Sequence, residues 1–495
     1  MKTFIVQCGG FGTRMGRLTS VKPKALIPID GKPLIFHLMD NNPNSKFIII
    51  TDYCSEILFK YIKKYRPNQD IKFVTSTVKS TCAGIPESLK YVDGSFFIIW
   101  SDLYVKSEIK DPITETISVG VTTSENSFPC RWSVKNGKLE KTPSEVNGVS
   151  GLFYVKDKMM LNDMDETKSF TSFLSNKFSK VATFSIENID DVGDIDRFYL
   201  LHKNNRFFNK LTFTEKTVIK EAIVENYKPL ISDEINWYTH LSSMGFSRIP
   251  NLIEKNPFTI ERLNGKNPFN CTPTLEFMTD VVNTLKSIHA METRDVDIDE
   301  IKLVYLNKTL ERVYEVSDLI PFFEKEQITI NGKKCINPFH PKHIEEFKHT
   351  IEKIYHVDNF TLIHGDCTFS NMISVNDKCY LIDPRGYFGK KKLYGDPRYD
   401  WAKLYYSFIG NYDNINSKNY SIAITDEVRF DIDTNGWEKF EEEFFKLIPY
   451  NRYEIKLIHV LIWFSLCGYV KEDYSSVLLS YYNAVYRYNL LKEGN

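Results

Sequence analysis

The sequence predicts an α/β protein of two domains, residues 1–205 built on a mostly parallel sheet and residues 206–495 dominated by helices. Three observations predict it. Short apolar runs alternate with amphipathic segments through the first two hundred residues, a glycine-rich loop follows the first run, and the pattern changes near residue 205. At 495 residues the chain also exceeds one ordinary core.

Strands are expected at 3–7, 47–51, 71–75, 96–100, 117–122 and 152–155, with helical patterns at 34–39, 56–64 and 85–91. Alternation of this kind implies βα units, whose ligands bind beyond the C-terminal strand ends. Residues 204–210 read as a polar, basic connector and 211–220 as a strand hairpin. From Ser232 onward, Tyr, Phe and Leu recur at helical spacing.

Composition excludes several classes of function. Lys and Arg number 63 against 64 Asp and Glu, so nothing electrostatic favours nucleic acid or an anionic membrane. The nine cysteines are scattered without a Cys-x-x-Cys pair, which argues against zinc and disulfide frameworks and for a reducing cytoplasm. The apolar run at 457–470 is too short to span a bilayer and reads as a core helix, so no membrane insertion is expected. The opening apolar run is too short for a signal-peptide core.

The first strand leads into Gly9-Gly10-Phe11-Gly12-Thr13-Arg14, then Lys22-Pro23-Lys24 and Gly31-Lys32-Pro33. Glycines let backbone approach a polyphosphate, while Arg14 and Lys24 supply positive charge. Asp102 follows the strand at 96–100, and Asp191 opens Asp-Val-Gly-Asp. Over residues 1–200 this pattern resembles the sugar-phosphate nucleotidyltransferase family, which implies a Rossmann-like domain. The resemblance assigns Gly9, Gly10, Gly12 and Thr13 to the triphosphate and Thr81, Ala83 and Gly84 to the base. It assigns Arg14 and Lys24 to catalysis, Asp102 and Asp191 to Mg²⁺, and Lys141 to the acceptor, although Thr142 interrupts that last motif.

The second half carries His364-Gly365-Asp366 and, five residues after that aspartate, Asn371, followed by Ile382-Asp383-Pro384-Arg385. Phosphoryl transfer needs a carboxylate beside the attacking hydroxyl and oxygen ligands for Mg²⁺, roles open to Asp366, Asn371 and Asp383. The pattern resembles the aminoglycoside phosphotransferase and choline kinase superfamily across 206–495, implying a bilobal protein-kinase-like (α+β) domain. By that resemblance Lys220 grips phosphates with Glu234 as its partner, Glu261 lies in the adenine hinge, and residues 395–402 brace the catalytic loop. His364 reads as scaffold.

Together the resemblances imply a bifunctional enzyme. ATP would phosphorylate a small hydroxylated acceptor, and CTP, UTP or GTP would then activate the product for a capsule or surface glycan. Arg385 stands where a choline site favours an acidic residue, so a sugar or polyol is preferred to choline or ethanolamine. An inactive regulatory or scaffolding protein is the other alternative, against which the intact aspartates argue. Self-association into a homo-oligomer is left open.

Overall fold

The structure, a computed structural model, describes residues 1–202 and 209–494. Most of the expected connector at 204–210, and the boundary near 205, lie outside the described residues; positions 209 and 210 instead open a strand. The chain divides into two units, Met1–Asn205 with Glu472–Tyr474, and Arg206–Lys471 with Ser475–Asn495.

In the first unit the framing strands are β1 (Thr3–Gln7), β2 (Lys46–Thr51), β3 (Asp70–Thr75), β4 (Phe96–Trp100), β5 (Leu103–Val105), β6 (Ser118–Val121), β7 (Val149–Val155), β8 (Ala182–Ser185) and β9 (Ile189–Asp191). Seven of them form one sheet in the order β8-β6-β7-β4-β1-β2-β3. β1 runs parallel to both β2 and β4, β3 is parallel to β2, and only β7 runs antiparallel to its two neighbours. Runs such as Phe-Ile-Ile-Ile in β2 are buried throughout, as a sheet covered on both faces requires. The chain leaves β1 for neighbours on opposite sides, so the loops after β1 and β4 open into one crevice.

Two expectations differ in detail. The helix expected at 85–91 is a single turn, Ile85–Ser88, and a 3₁₀ turn, Leu89–Tyr91, because the chain turns extended at Val92. The strand expected at 152–155 begins three residues earlier, with an irregular register between Val149 and Phe153. Gly151 hides that extension: its φ is +96°, and a β-carbon there would lie 2.3 Å from the Trp100 ring.

The second unit opens with β10 (Asn209–Phe213), β11 (Thr217–Ala222), β12 (Leu252–Lys255) and β13 (Phe258–Glu261), antiparallel in the order β10-β11-β13-β12. Helix α1 (Lys228–Ser243) connects β11 to β12. Further on come α2 (Leu275–His289), α3 (Lys308–Val316), α4 (Pro397–Phe408) and α5 (Arg452–Tyr469), and the hairpin β14 (Met372–Val375) and β15 (Lys378–Leu381). Helix α5 carries the apolar run at 457–470 and packs on α3 and α4. Among the described residues no helix is long and apolar enough to cross a membrane.

Gly84 should tolerate no side chain. Its φ is +70°, and an added β-carbon would stand 2.7 Å from the Ile50 side chain. Gly84→Ala is expected to destabilise the first unit by about 1–3 kcal/mol, read as a lower urea midpoint.

Candidate active sites

The first centre forms where β1 and β4 end. Cys8 N–H donates to the Ile50 carbonyl at 2.8 Å, holding the start of the loop to the sheet. Gly12 sits at φ +65°, with a β-carbon excluded by Thr19 at 2.9 Å, whereas Gly10, Thr13 and Arg14 are exposed. Gly9 passes close to Asp52. Beneath the loop, Met15, Leu18, Ile27, Leu34, Tyr104 and Val192 make a small core of their own.

Lys24 lies in a 3₁₀ turn, Lys24–Leu26. Its Nζ meets Asp102 Oδ2 at 3.0 Å and donates to the Gly193 carbonyl at 3.1 Å. Asp191 is brought to the same place by an antiparallel pairing of β5 with β9, which sets Asp191 opposite Leu103. Val192 N–H completes that ladder on the Asp102 carbonyl at 2.8 Å. The Asp191 carboxylate is ion-paired with Arg197, which also lies 3.2 Å from Asp194. A β-carbon on Gly193 would stand 2.7 Å from Asp191 Oδ1, so a side chain there would displace the Asp191 carboxylate. Burial, and then Arg14, hold the Arg197 guanidinium below its ordinary range. Cations are crowded here.

Asp102 and Asp191 are hard oxygen donors on adjoining segments, each occupied by a cationic side chain, and this donor set fits Mg²⁺ sharing phosphate ligands. Among the described residues no cluster of three or more His, Cys, Asp or Glu side chains forms an all-protein metal cage.

The turn holding Thr81, Ala83 and Gly84 is fixed from both sides. Gln7 Nε2 donates to the Thr81 and Ala83 carbonyls, each at 3.1 Å. Gly84 N–H donates to Glu166 Oε1 at 3.0 Å, and Thr81 Oγ1 accepts from Phe170 N–H at 2.8 Å. Lys141 is exposed in the loop after the strand Lys138–Glu140.

A second centre belongs to the second unit. Lys220 on β11 reaches Glu234 on α1 at 2.5 Å and Asp383 at 3.2 Å. Asp383 follows β15 at φ +51°, a backbone state uncommon outside glycine. Asn371 Nδ2 donates to Asp366 Oδ2 at 2.9 Å, and Lys403 of α4 lies 2.8 Å from Asp366 Oδ1. Burial works to raise the Asp366 pKa, but Lys403 and Arg385 outweigh it and hold the carboxyl below its usual range. Asp366, Asn371 and Asp383 again present only oxygen donors suited to Mg²⁺, and Lys220 and Lys403 occupy the two carboxylates.

The loop carrying Asp366 is braced from below. Asp400 accepts N–H bonds from His364 and Gly365, both at 2.8 Å, and lies 3.1 Å from His289 Nε2. His364 is fully buried: Nδ1 accepts from Asp366 N–H and Nε2 donates to the Ile382 carbonyl at 2.9 Å. That single imidazole ties the Asp366 loop to the segment bearing Asp383, and burial keeps its pKa low. Glu261 ends β13, but its carboxylate accepts from Asn251 N–H and Nδ2, at 3.2 and 2.7 Å. Arg385 hydrogen-bonds the Tyr399 hydroxyl at 3.3 Å and lines a cavity of about 100 Å³ that also contains Asp366.

Sequence reasoning missed Gln7, Glu166, Arg197, Lys308, Arg312 and Lys403. Gln7 and Glu166 act across long sequence separations, Arg197 reaches Asp191 and Asp194 from the helix that follows them, and none of the three carries a motif. Lys308 and Arg312 leave one trace, two like charges four residues apart on one helix face.

Several known proteins are similar to this chain. It is 26% identical over 249 residues to the bifunctional protein GlmU of Methanocaldococcus jannaschii, covering 46% of this chain and 60% of that protein. It is 24% identical over 218 residues to the D-glycero-alpha-D-manno-heptose 1-phosphate guanylyltransferase of Campylobacter jejuni, covering 41% of this chain and 99% of the relative. The N-terminal half thus resembles sugar-phosphate nucleotidyltransferases. The crystal structure of HddC from Yersinia pseudotuberculosis complexed with GMP-PN aligns over 41% of this chain and 99% of that one, at TM-score 0.36 and 19% identity. The chain spans less than two thirds of the GlmU relatives, 30% of the Methanococcus vannielii protein and 60% of the Methanocaldococcus protein. No protein-family model matches the chain.

Asp400→Asn removes one acceptor from three donors that meet in a buried site. The expected loss is about 1–3 kcal/mol of stability, measured by urea unfolding.

Proposed function

We propose that the chain is a bifunctional transferase. Residues 206–495 form a kinase-like domain that phosphorylates a small sugar or polyol with ATP. Residues 1–205 form a nucleotidyltransferase domain that couples the phosphorylated product to a nucleotide from CTP, UTP or GTP. The observation that carries the reading is the same in both units: a lysine set on a carboxylate, with a second carboxylate brought near by the fold. The likeness of the N-terminal half to GlmU and to a heptose 1-phosphate guanylyltransferase supports the nucleotidyl step.

In the kinase step Asp366 accepts the proton of the acceptor hydroxyl. The hydroxyl oxygen bonds to the γ-phosphorus, the bond to the β,γ-bridging oxygen breaks, and ADP leaves. Lys220, held by Glu234, grips the α- and β-phosphates, while Asn371 and Asp383 would hold Mg²⁺. In the second step an oxygen of the acceptor phosphate bonds to the α-phosphorus of the nucleoside triphosphate, and pyrophosphate leaves. That oxygen is already ionised, so no general base is needed. Gly9, Gly10, Gly12 and Thr13 would receive the triphosphate, with Thr81, Ala83 and Gly84 at its base. Arg14 and Lys24 steady the α-phosphate, Asp102 and Asp191 would hold Mg²⁺, and Lys141 meets the acceptor. The bound metal supplies charge neutralisation on the phosphate oxygens.

Arg385 beside Asp366 disfavours a quaternary ammonium, which sets the sugar or polyol reading above the choline one.

Two separate losses test the proposal. Asp366→Asn should cut acceptor-dependent ADP release at least about 100-fold, while pyrophosphate release from a pre-phosphorylated acceptor continues. Asp102→Asn should show the reverse pattern, and EDTA should stop both reactions. Loss of both activities in either variant contradicts independent centres.

A further inference from the structure

The cavity containing Asp366 is lined by four cationic side chains, Lys308, Arg312, Arg385 and Lys403, and Asp366 is the one carboxylate among its lining residues. It adjoins a groove of about 410 Å³ that shares Lys308, Arg312, Arg385 and Tyr399. Lys403 is ion-paired with Asp366 and Arg385 also acts on that carboxylate, so one anion faces four cations. Among the described residues Lys308 has no salt-bridge or hydrogen-bond partner. Arg312 donates to the Ser465 carbonyl at 3.0 Å, a neutral partner, and lies over the Tyr469 ring. Two acidic residues, Glu311 and Glu315, line the outer groove; Glu311 is exposed and Glu315 is paired with Lys471 at 2.6 Å.

The local fold sets this cluster deliberately at the site. A π-helical turn, Leu303–Asn307, precedes α3, and such turns concentrate at functional positions. Val304, Lys308 and Arg312 follow at four-residue intervals, so one helix face delivers all three to the cavity. Like charges at that spacing destabilise a helix unless an anion lies between them. Burial, followed by Arg385, Arg312 and Lys403, pushes the Lys308 pKa down to about 6. An anion bound there would reverse that shift.

We infer that the molecule phosphorylated at Asp366 already carries an oxyanion, a phosphate monoester or a carboxylate, which docks on Lys308, Arg312 and Arg385. This rests on the kinase reading of the second unit. Tyr399, Tyr406, Tyr412 and Tyr469 line the same cavity and offer aromatic faces and hydroxyls to a polyol chain or sugar ring. The pocket therefore selects by charge at one end and by reaction at the other.

The test compares matched acceptors on the full chain with ATP and Mg²⁺: glucose and ribitol against glucose 6-phosphate, ribitol 5-phosphate and gluconate. The anionic member of at least one pair should exceed its neutral parent in kcat/KM by about 30-fold or more, the scale of charged hydrogen bonds. Phosphate esters and carboxylates form separate arms and identify which oxyanion is used. Lys308→Met should raise the KM for that acceptor by about tenfold or more, with the KM for ATP changed less than about twofold. Lys308→Arg should restore most of the affinity, which a merely structural lysine would not require. Preference for a neutral parent, or an unchanged acceptor KM in Lys308→Met, overturns the inference. Absence of ADP with every acceptor counts against the kinase reading itself, and calorimetric titration of the anionic acceptors then decides. Binding that Lys308→Met abolishes sustains the anion pocket; no binding by any of them overturns it.

Discussion

A lysine ammonium held against a carboxylate is the contact on which both centres depend. Lys24 with Asp102, Lys220 with Glu234 and Asp383, and Lys403 with Asp366 are each at least partly withdrawn from water. Such pairs give little net stability, because desolvation offsets the Coulomb attraction. Removing one partner is another matter, since the remaining charge is left stranded at a cost of about 3–5 kcal/mol where burial is complete. The ammonium positions its carboxylate, and at Asp366 it also favours the ionised form. Asp366 illustrates this, with two cations overcoming the burial that would protonate it.

Each fold supplies these pairs by its own route. In the first unit, strand ends deliver the glycine loop and Asp102, and a short antiparallel ladder brings Asp191 across from far along the chain. A side chain at position 193 would crowd the Asp191 carboxylate. In the second unit a strand and a helix deliver Lys220 and Glu234, and a buried histidine links the two loops bearing Asp366 and Asp383. Asp400 then fixes the histidine loop through two backbone amides. These hydrogen-bonded braces are buried, whereas Gly10, Thr13 and Arg14 are exposed.

Much of this was legible in the sequence because strong local patterns coincide with chemistry. Buried parallel strands are continuous apolar runs, so β1, β2 and β4 could be read nearly to the residue, and the loops after them followed. Lys220 and Glu234 could be paired only through a resemblance, and in the structure they lie 2.5 Å apart. Other features were illegible for physical reasons. Gly151 breaks the strand pattern because a tryptophan ring occupies its side-chain space. Arg197 meets Asp191 from the following helix, and no motif marks an arginine at that spacing. Lys308 and Arg312 resemble any solvated helix face until α5 packs over them. Glu261 shows the converse, a motif position whose side chain is engaged by Asn251.

The most direct test of two phosphate-binding centres in one chain is the stoichiometry of nucleotide binding. Non-hydrolysable ATP and CTP, UTP or GTP analogues, titrated calorimetrically with Mg²⁺, should fill two independent sites per chain. Lys24→Met should remove one of them and Lys220→Met the other. A single site, or the loss of both sites in either variant, would contradict the account.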